Sequence, residues 1–443
     1  VKKILILGWG ISGKGALQWL YDKGYRCFFV IDKSAIDLQE LKKQYPEAAF
    51  ECDLDRSEAP WKEEEVEFVA LAPGVGPKSP NYIRSKKADL PFMGEMQMGL
   101  SDLEGYKIGI TGSNGKSTTV TMLAHILSTL GFEAQAVGNI GVAVSCLPRK
   151  GKDRYWVIEA SSYHLETLEG KFFDIAAVLN ISENHLDRYM EMEKYVQAKA
   201  CIQKALKPQA CLLLKRDIVE QWPSFWHHPH LEFWDQMTLS LDFEKLISDK
   251  VFAGKEGSGY KDDLGNDVEN IKVVLAICEK LGIDLQRAWK ALKSYSKLSH
   301  RMEVVGTLGE VKFINDSKAT SLAATLHALK ALKGPLVLIA GGVHKGADYY
   351  GWREPLADKA VGVCLFGQAK EKIAMDLQFD AAMCTIHNNL EQAVERAHNL
   401  LKKRGGTVLF SPGCASFDMF KNFEERGDRF KQCFHELKVR GEP

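Results

Sequence analysis

With 443 residues the chain is too long for one ordinary core, which points to two or three domains. Its 45% hydrophobic and 26% charged residues suit a folded soluble protein, and 58 Lys plus Arg against 58 Asp plus Glu give zero formal net charge, which disfavours a broad nucleic-acid surface while leaving room for a small anion on a local positive patch. Ten cysteines without a CxxC pair fit a reducing cytoplasm, and no apolar run approaches the roughly 18 residues of a membrane span.

The first segment, 1–95, opens on "VKKILILGWG". Its apolar run ends in glycines, not at a cleavage site, so it reads as a first strand and not as a signal. "KILILGWGISGKGALQWLYDKG" then gives strand, glycine turn and apolar-periodic helix. "CFFVID" is a second strand ending in Asp32, and "VEFVALAPGV" a later one running into a Pro-Gly turn. This is the order of a Rossmann-like unit. "PFMGEMQMGLSDLEG" reads as a short connection into the second segment.

The second segment, 96–297, begins again with strand, loop and helix in "YKIGITGSNGKSTTVTMLAHILSTLG". "YWVIEA" and "DIAAVLN" are further strands, and "MEKYVQAKACIQ" and "VENIKVVLAICEKLG" are helices. Between about 217 and 260 the pattern weakens, and a peripheral hairpin or loop is expected there. The third segment, 298–443, holds the strands "VKFIND", "PLVLIAGG", "AVGVCLFG" and "GTVLFSPG", separated by helices such as "LEQAVERAHNLLKKRG". The expected fold class is α/β in three domains: a Rossmann-like N-terminal domain, a central mononucleotide-binding P-loop-type ATPase domain and a C-terminal Rossmann-like domain.

The stretch "TGSNGKSTTV" departs from the strict phosphate-loop pattern, because Ile110 stands where that pattern wants its first glycine. Context restores the reading. A strand precedes Gly112, Ser113, Asn114 and Gly115, and a long helix comes after them. Backbone N–H groups and the helix N-terminus, including Thr118 in its first turn, can cradle an anion. Lys116 can reach the outer phosphates, and the Ser117 hydroxyl can join a Mg²⁺ shell. Glu159 closes the strand "YWVIEA", a good place for a second oxygen ligand. His185 and Asp187 come after the strand end "AAVLN" in a polar run, the setting of a ligand loop. A lysine on a helix, such as Lys199, is ordinarily just solvated.

Taken together, "TGSNGKSTTV", "GNIG", "EASSYHLE", "NISENHLDRY", "NDSKATS", "GGVHKGADY" and "SPGCASFDMFKNFEERG" resemble the Mur ligases, in the same order and along the whole chain. The resemblance implies ATP-driven ligation of D-glutamate to UDP-N-acetylmuramoyl-L-alanine through an acyl phosphate. The last motif points to D-glutamate. A cytoplasmic monomer without nucleic-acid or membrane partners is implied too.

The resemblance also reassigns the glycines Gly8, Gly10 and Gly13, whose spacing alone would suggest NAD or FAD. Trp9, Gly10, Ile11 and Ser12 would instead meet the substrate diphosphate, with Asp32 and Lys33 near uridine. Asn139 and His185 would contact the muramoyl substrate. Lys116 would bind phosphate, and Ser117 and Glu159 would hold one Mg²⁺. Lys199 matches the lysine that is carbamylated in the family, which would supply an anionic oxygen to a second Mg²⁺ near His185. Asn270, Arg301 and Asp316 would serve ATP. Lys318, Thr320, Lys345, Ser416 and Phe423 would receive D-glutamate, with Lys318 beside the reacting amine.

Two departures stand out. Asn266 and Asp267 replace a frequent His-Asn pair on the adenine side, and Met302 replaces a frequent phenylalanine. Three alternatives stay open: a sister Mur ligase or folylpolyglutamate synthetase using another amino acid, an NAD-dependent oxidoreductase suggested by the first glycines, and a nucleotide-binding regulatory protein without activity.

Overall fold

The computed structural model describes residues 2–148, 151–236, 268–295, 299–344 and 348–441. Three sheets organise the described residues. The first contains β1 (Lys3–Leu7), β2 (Cys27–Asp32), β3 (Ala49–Leu54), β4 (Val66–Leu71) and β5 (Phe92–Gly94), all parallel in the order β3-β2-β1-β4-β5. Alternate residues of its strands enter different cores. Ile4, Ile6, Phe28 and Val30 pack on one face, and Leu5, Leu7, Phe29 and Ile31 on the other. Both faces are therefore covered, which is why these strands read as unbroken apolar runs.

The second sheet contains β6 (Tyr106–Thr111), β7 (Ala134–Gly138), β8 (Tyr155–Glu159), β9 (Phe173–Val178), β10 (Leu206–Leu214) and β11 (Leu231–Phe233). Its order is β11-β10-β9-β6-β8-β7, parallel throughout. The third contains β12 (Glu303–Leu308), β13 (Val311–Asn315), β14 (Leu336–Gly341), β15 (Ala360–Phe366), β16 (Cys384–Ile386) and β17 (Gly406–Phe410), in the order β12-β13-β17-β14-β15-β16. Only β12 runs antiparallel, paired with β13.

Two compact units divide these sheets. One spans Val1–Ile181, Glu191–Leu241 and Glu269–Tyr295 and holds the first two; the other spans Ser182–Met190, Asp242–Val268 and Ser296–Pro443 and holds the third. No helix among the described residues is long and apolar enough to cross a membrane.

Two sequence expectations are corrected. The stretch expected as a mere connection after residue 90 forms β5 and the helix Glu95–Asp102. That helix is anchored at both ends. Glu95 accepts from Ser145 N at 2.7 Å, and Asp102 accepts from Trp19 Nε1 at 3.0 Å. Met96 and Leu100 fill the core of the second sheet, while Met98 joins that of the first. Its apolar residues Met96, Met98 and Leu100 recur at every second position, the period of a strand, which together with the glycines and the short length hides the helix. The described part of the region expected as a hairpin holds a helix at Arg216–Gln221 and the strand β11, which is parallel to β10. A parallel pair needs a crossover, so it is not a hairpin. The remainder of that region, from 237 to about 260, lies outside the described residues.

Candidate active site

The loop after β6 turns sharply into the helix Lys116–Thr129. Gly115 caps that helix at φ +83°, and a Cβ there would run into Asn270 Oδ1, so glycine is required on both counts. Asn270 Oδ1 also accepts from Thr119 Oγ1 at 3.2 Å, which ties the helix Val268–Lys280 to the loop. Across the loop, Asn180 Oδ1 receives Asn114 N at 2.9 Å. Ser113 Oγ meets Tyr195 OH at 3.1 Å.

Two lysines converge on one carbonyl of this loop. Lys116 Nζ donates to Gly112 O at 2.8 Å and to Ser113 O at 3.0 Å; Lys199 Nζ donates to Gly112 O at 2.8 Å. Lys199 lies on the helix Met192–Ala200, is 1% exposed and stands over the ring of Tyr195, one turn back on the same face. Burial, then the charge of Lys116, pushes its pKa well below the ordinary lysine value, against a smaller opposing pull from Glu159. An amine so placed is held toward its neutral, nucleophilic form.

Glu159 ends β8 at 2% exposure. Its Oε1 accepts from Asn139 Nδ2 at 3.0 Å, and Asn139 N bonds to Glu159 O at 2.9 Å. Thr111 Oγ1, Thr118 Oγ1 and Glu159 Oε2 are buried with no hydrogen-bond partner among the described residues. Buried polar atoms normally find partners, so three such atoms around one loop fit a site that a ligand, metal or water completes. No group of three or more His, Cys, Asp and Glu side chains is poised to hold a metal among the described residues. The oxygens on offer to a hard cation are the Ser117 hydroxyl and the open Glu159 Oε2, which suit Mg²⁺.

Next to Glu159, Ser161 caps the short helix Ser162–Leu165, and its Oγ lies 2.7 Å from His164 Nδ1. Burial lowers the pKa of His164 to about 4, so this ring is neutral near pH 7. Neither His164 nor Tyr195 stood out in the sequence. For Tyr195 the available signal was its i, i+4 spacing to Lys199.

In the first sheet, Trp9 and Gly10 lie between β1 and the helix Ile11–Asp22, and Ile11 and Ser12 open that helix. Asp32, at the end of β2, accepts from Trp9 N at 3.0 Å and from Ser34 N at 3.3 Å, so its carboxylate fixes the glycine turn; Lys33 beside it is exposed. His185 belongs with the segment Ser182–Met190, at φ +57°, and its carbonyl receives the N–H groups of Arg188 and Tyr189.

In the third sheet, Asp316 comes directly after β13. Its carboxylate accepts from Met302 N at 3.2 Å and Ser411 Oγ at 2.7 Å, fixing the turn that carries half-buried Arg301. Lys318 N bonds to His300 O at 2.9 Å, and Lys318 Nζ lies 5.4 Å from the centre of the Phe423 ring. Thr320 N bonds to Lys318 O, and Ser416 is buried at the loop after β17. The loops after β13 and β17 open at the carboxyl ends of neighbouring parallel strands, where open α/β sheets bind ligands. Sequence reasoning missed Arg426 and His300, which sit behind these loops. Lys345, Asn266 and Asp267 lie outside the described residues.

Three α/β sheets, parallel but for β12, with a helix-capped phosphate loop on the second, define a nucleotide-dependent enzyme class. The Mur ligase middle domain matches residues 110–241, and the Mur ligase glutamate ligase domain matches 300–414. Over 97% of both chains it is 32% identical to a UDP-N-acetylmuramoylalanine--D-glutamate ligase of Protochlamydia amoebophila. A like-named protein of Methylobacillus flagellatus is 34% identical over 98% of this chain and 97% of its own. The chain belongs to the Mur ligase family. Among solved structures it resembles MurF of Thermotoga maritima in complex with ADP, at TM-score 0.60, 16% identity and 94% and 96% coverage of this chain and that one. It also resembles UDP-N-acetylmuramate-alanine ligase MurC of the same organism, at TM-score 0.57, 16% identity and 99% and 100% coverage.

Proposed function

We propose that the chain ligates D-glutamate to UDP-N-acetylmuramoyl-L-alanine with cleavage of ATP to ADP and phosphate. The observation that carries this reading is the Gly112–Ser117 turn, with two lysines on one carbonyl beside the half-satisfied Glu159 carboxylate. Full-length likeness to the D-glutamate ligases supports the choice of substrates. We infer a division of labour in which 1–95 receives the nucleotide substrate, 96–297 ATP and 298–443 the amino acid.

The substrate carboxylate attacks the γ-phosphorus, forming a P–O bond as the bond to ADP breaks. The amine of D-glutamate then attacks the acyl carbon, loses a proton and expels phosphate to leave an amide. Lys116 and the N–H groups of Gly112, Gly115, Ser117 and Thr118 offset the repulsion between two anions and steady the transferring phosphoryl group, while Ser113 and Asn114, whose N–H groups bond to Asn180, shape the turn around it. Ser117 and Glu159 would hold Mg²⁺, which when bound neutralises phosphate charge. Lys199, disposed to the neutral amine, suits carbamylation, and the carbamate with His185 would serve a second Mg²⁺. Asn270, Arg301 and Asp316 are assigned to ATP. Asp32, Lys33, Trp9, Gly10, Ile11, Ser12, Asn139 and His185 are assigned to the nucleotide substrate. Lys318, Thr320, Lys345, Ser416 and Phe423 are assigned to D-glutamate.

The test is a panel of single amino acids, each incubated with purified protein, ATP, Mg²⁺ and UDP-N-acetylmuramoyl-L-alanine. Product mass and ADP release should both require D-glutamate. Ligation of another amino acid in preference to it would overturn the substrate assignment.

A further inference from the structure

Arg426 is completely buried in the helix Phe423–Gly441, and none of its hydrogen-bond acceptors among the described residues is a carboxylate. Nε donates to Ser317 Oγ at 3.0 Å, Nη2 to Ser317 O at 2.7 Å and Nη1 to Cys414 O at 3.0 Å. Each of those carbonyls belongs to a peptide unit whose N–H is also held. Lys318 N is bonded to His300 O at 2.9 Å, and Ala415 N to Val343 O at 3.1 Å. Two peptide planes, one leading into Lys318 and the other just before Ala415 and Ser416, are thus held on their carbonyl sides by one guanidinium and on their N–H sides by the carbonyls of His300 and Val343. Gly342 completes the arrangement, since a Cβ there would strike Ala415 O and crowd Arg426 Nη1. Ser317 Oγ also bonds to Phe423 O at 2.8 Å, which links the Phe423 backbone to the same clamp.

Burying a cation is costly, and a neutral side chain could fill the space at a smaller desolvation penalty. What a neutral or point-charge side chain lacks is a planar fork with donors in several fixed directions. Burial lowers the pKa of Arg426 only to about 10, so the charge persists at neutral pH.

We propose that Arg426 is a positioning residue for the incoming amino acid: it locks the loop of Lys318 and Thr320 to the loop of Ser416, so that affinity for the acceptor depends on it while affinity for ATP and for the nucleotide substrate does not. This rests on the assignment of those loops to D-glutamate.

The experiment is steady-state kinetics on the full chain for wild type, Arg426→Lys, Ser317→Ala and Ser416→Ala, with melting temperatures recorded. Hydroxylamine trapping of the acyl phosphate, without amino acid, reads the first half-reaction. Arg426→Lys should raise the KM for D-glutamate about 10- to 100-fold, the scale of a misplacement near 1 Å. The KM values for the other two substrates should stay within about 2-fold, and trapping should be unchanged. Ser317→Ala should shift the D-glutamate KM in the same direction by less. If Ser416→Ala leaves that KM unchanged, the assignment of the loops fails, whatever Arg426 does. If Ser416→Ala raises it and folded Arg426→Lys does not, the proposal is overturned. Equal loss for all three substrates, or a lower melting temperature with KM unchanged, makes Arg426 a residue of stability alone and also overturns it. Should Arg426→Lys fail to fold, Ser317→Ala decides: a rise confined to the D-glutamate KM supports the clamp, and an unchanged one refutes it.

Discussion

The phosphate turn of the second sheet and the loops of the third sheet solve a similar problem differently. Both set a buried cation on main-chain carbonyls at the carboxyl ends of parallel strands, Lys199 on Gly112 O and Arg426 on Ser317 O and Cys414 O. The amine is driven toward neutrality by burial and by its neighbour Lys116, whereas the guanidinium stays charged. The first region therefore keeps a group whose charge can change beside open oxygens. The second uses its charge to hold loops still. Chemistry and placement are divided between two kinds of cation.

The contrast breaks most sharply at Lys116. Lys116→Ala removes the half-buried cation that bonds Gly112 O and Ser113 O, and ADP release should fall by roughly 1,000-fold or more. Unchanged turnover would reduce the turn to a structural bend. Arg426→Lys comes next, because it is expected to weaken one substrate and leave the first half-reaction whole. The smallest effect on turnover is expected from His164→Gln, which sharpens the comparison by isolating a buried titratable group near Glu159. The folded pKa of His164, about 4, lies below the ordinary histidine value of 6.5. Between those values the unfolded chain binds a proton that the folded one does not. Stability from this group is complete above about 6.5 and declines as pH falls toward 4, by about 3 kcal/mol. Melting temperatures of His164→Gln should fall less steeply with acid over that window, and an unchanged slope would contradict the buried neutral ring.

The same division explains what could be read in the sequence. The phosphate turn is contiguous, so Gly112, Gly115, Lys116 and Ser117 announced a strand, a turn and a helix despite Ile110. The apolar strands of all three sheets were visible because both of their faces are buried. β3, β5, β7, β10, β11, β12, β16 and the helix Glu95–Asp102 were not, being short or interrupted by glycine, proline or polar residues. Lys199 had no signal of its own, since its burial comes from tertiary packing around Tyr195 and the turn. Arg426 was silent for a related reason: it acts on Ser317, 109 residues away, in a helix whose charged face looks ordinary.

The central claim is that a triphosphate held at the Gly112–Ser117 turn phosphorylates the substrate carboxylate. It is tested most directly by labelling both oxygens of that carboxylate with ¹⁸O and analysing the phosphate released on ligation of D-glutamate. One ¹⁸O in each phosphate, with the other kept in the amide carbonyl, is the predicted result. Phosphate free of ¹⁸O would contradict the account, because the carboxylate oxygen would never have been bonded to phosphorus.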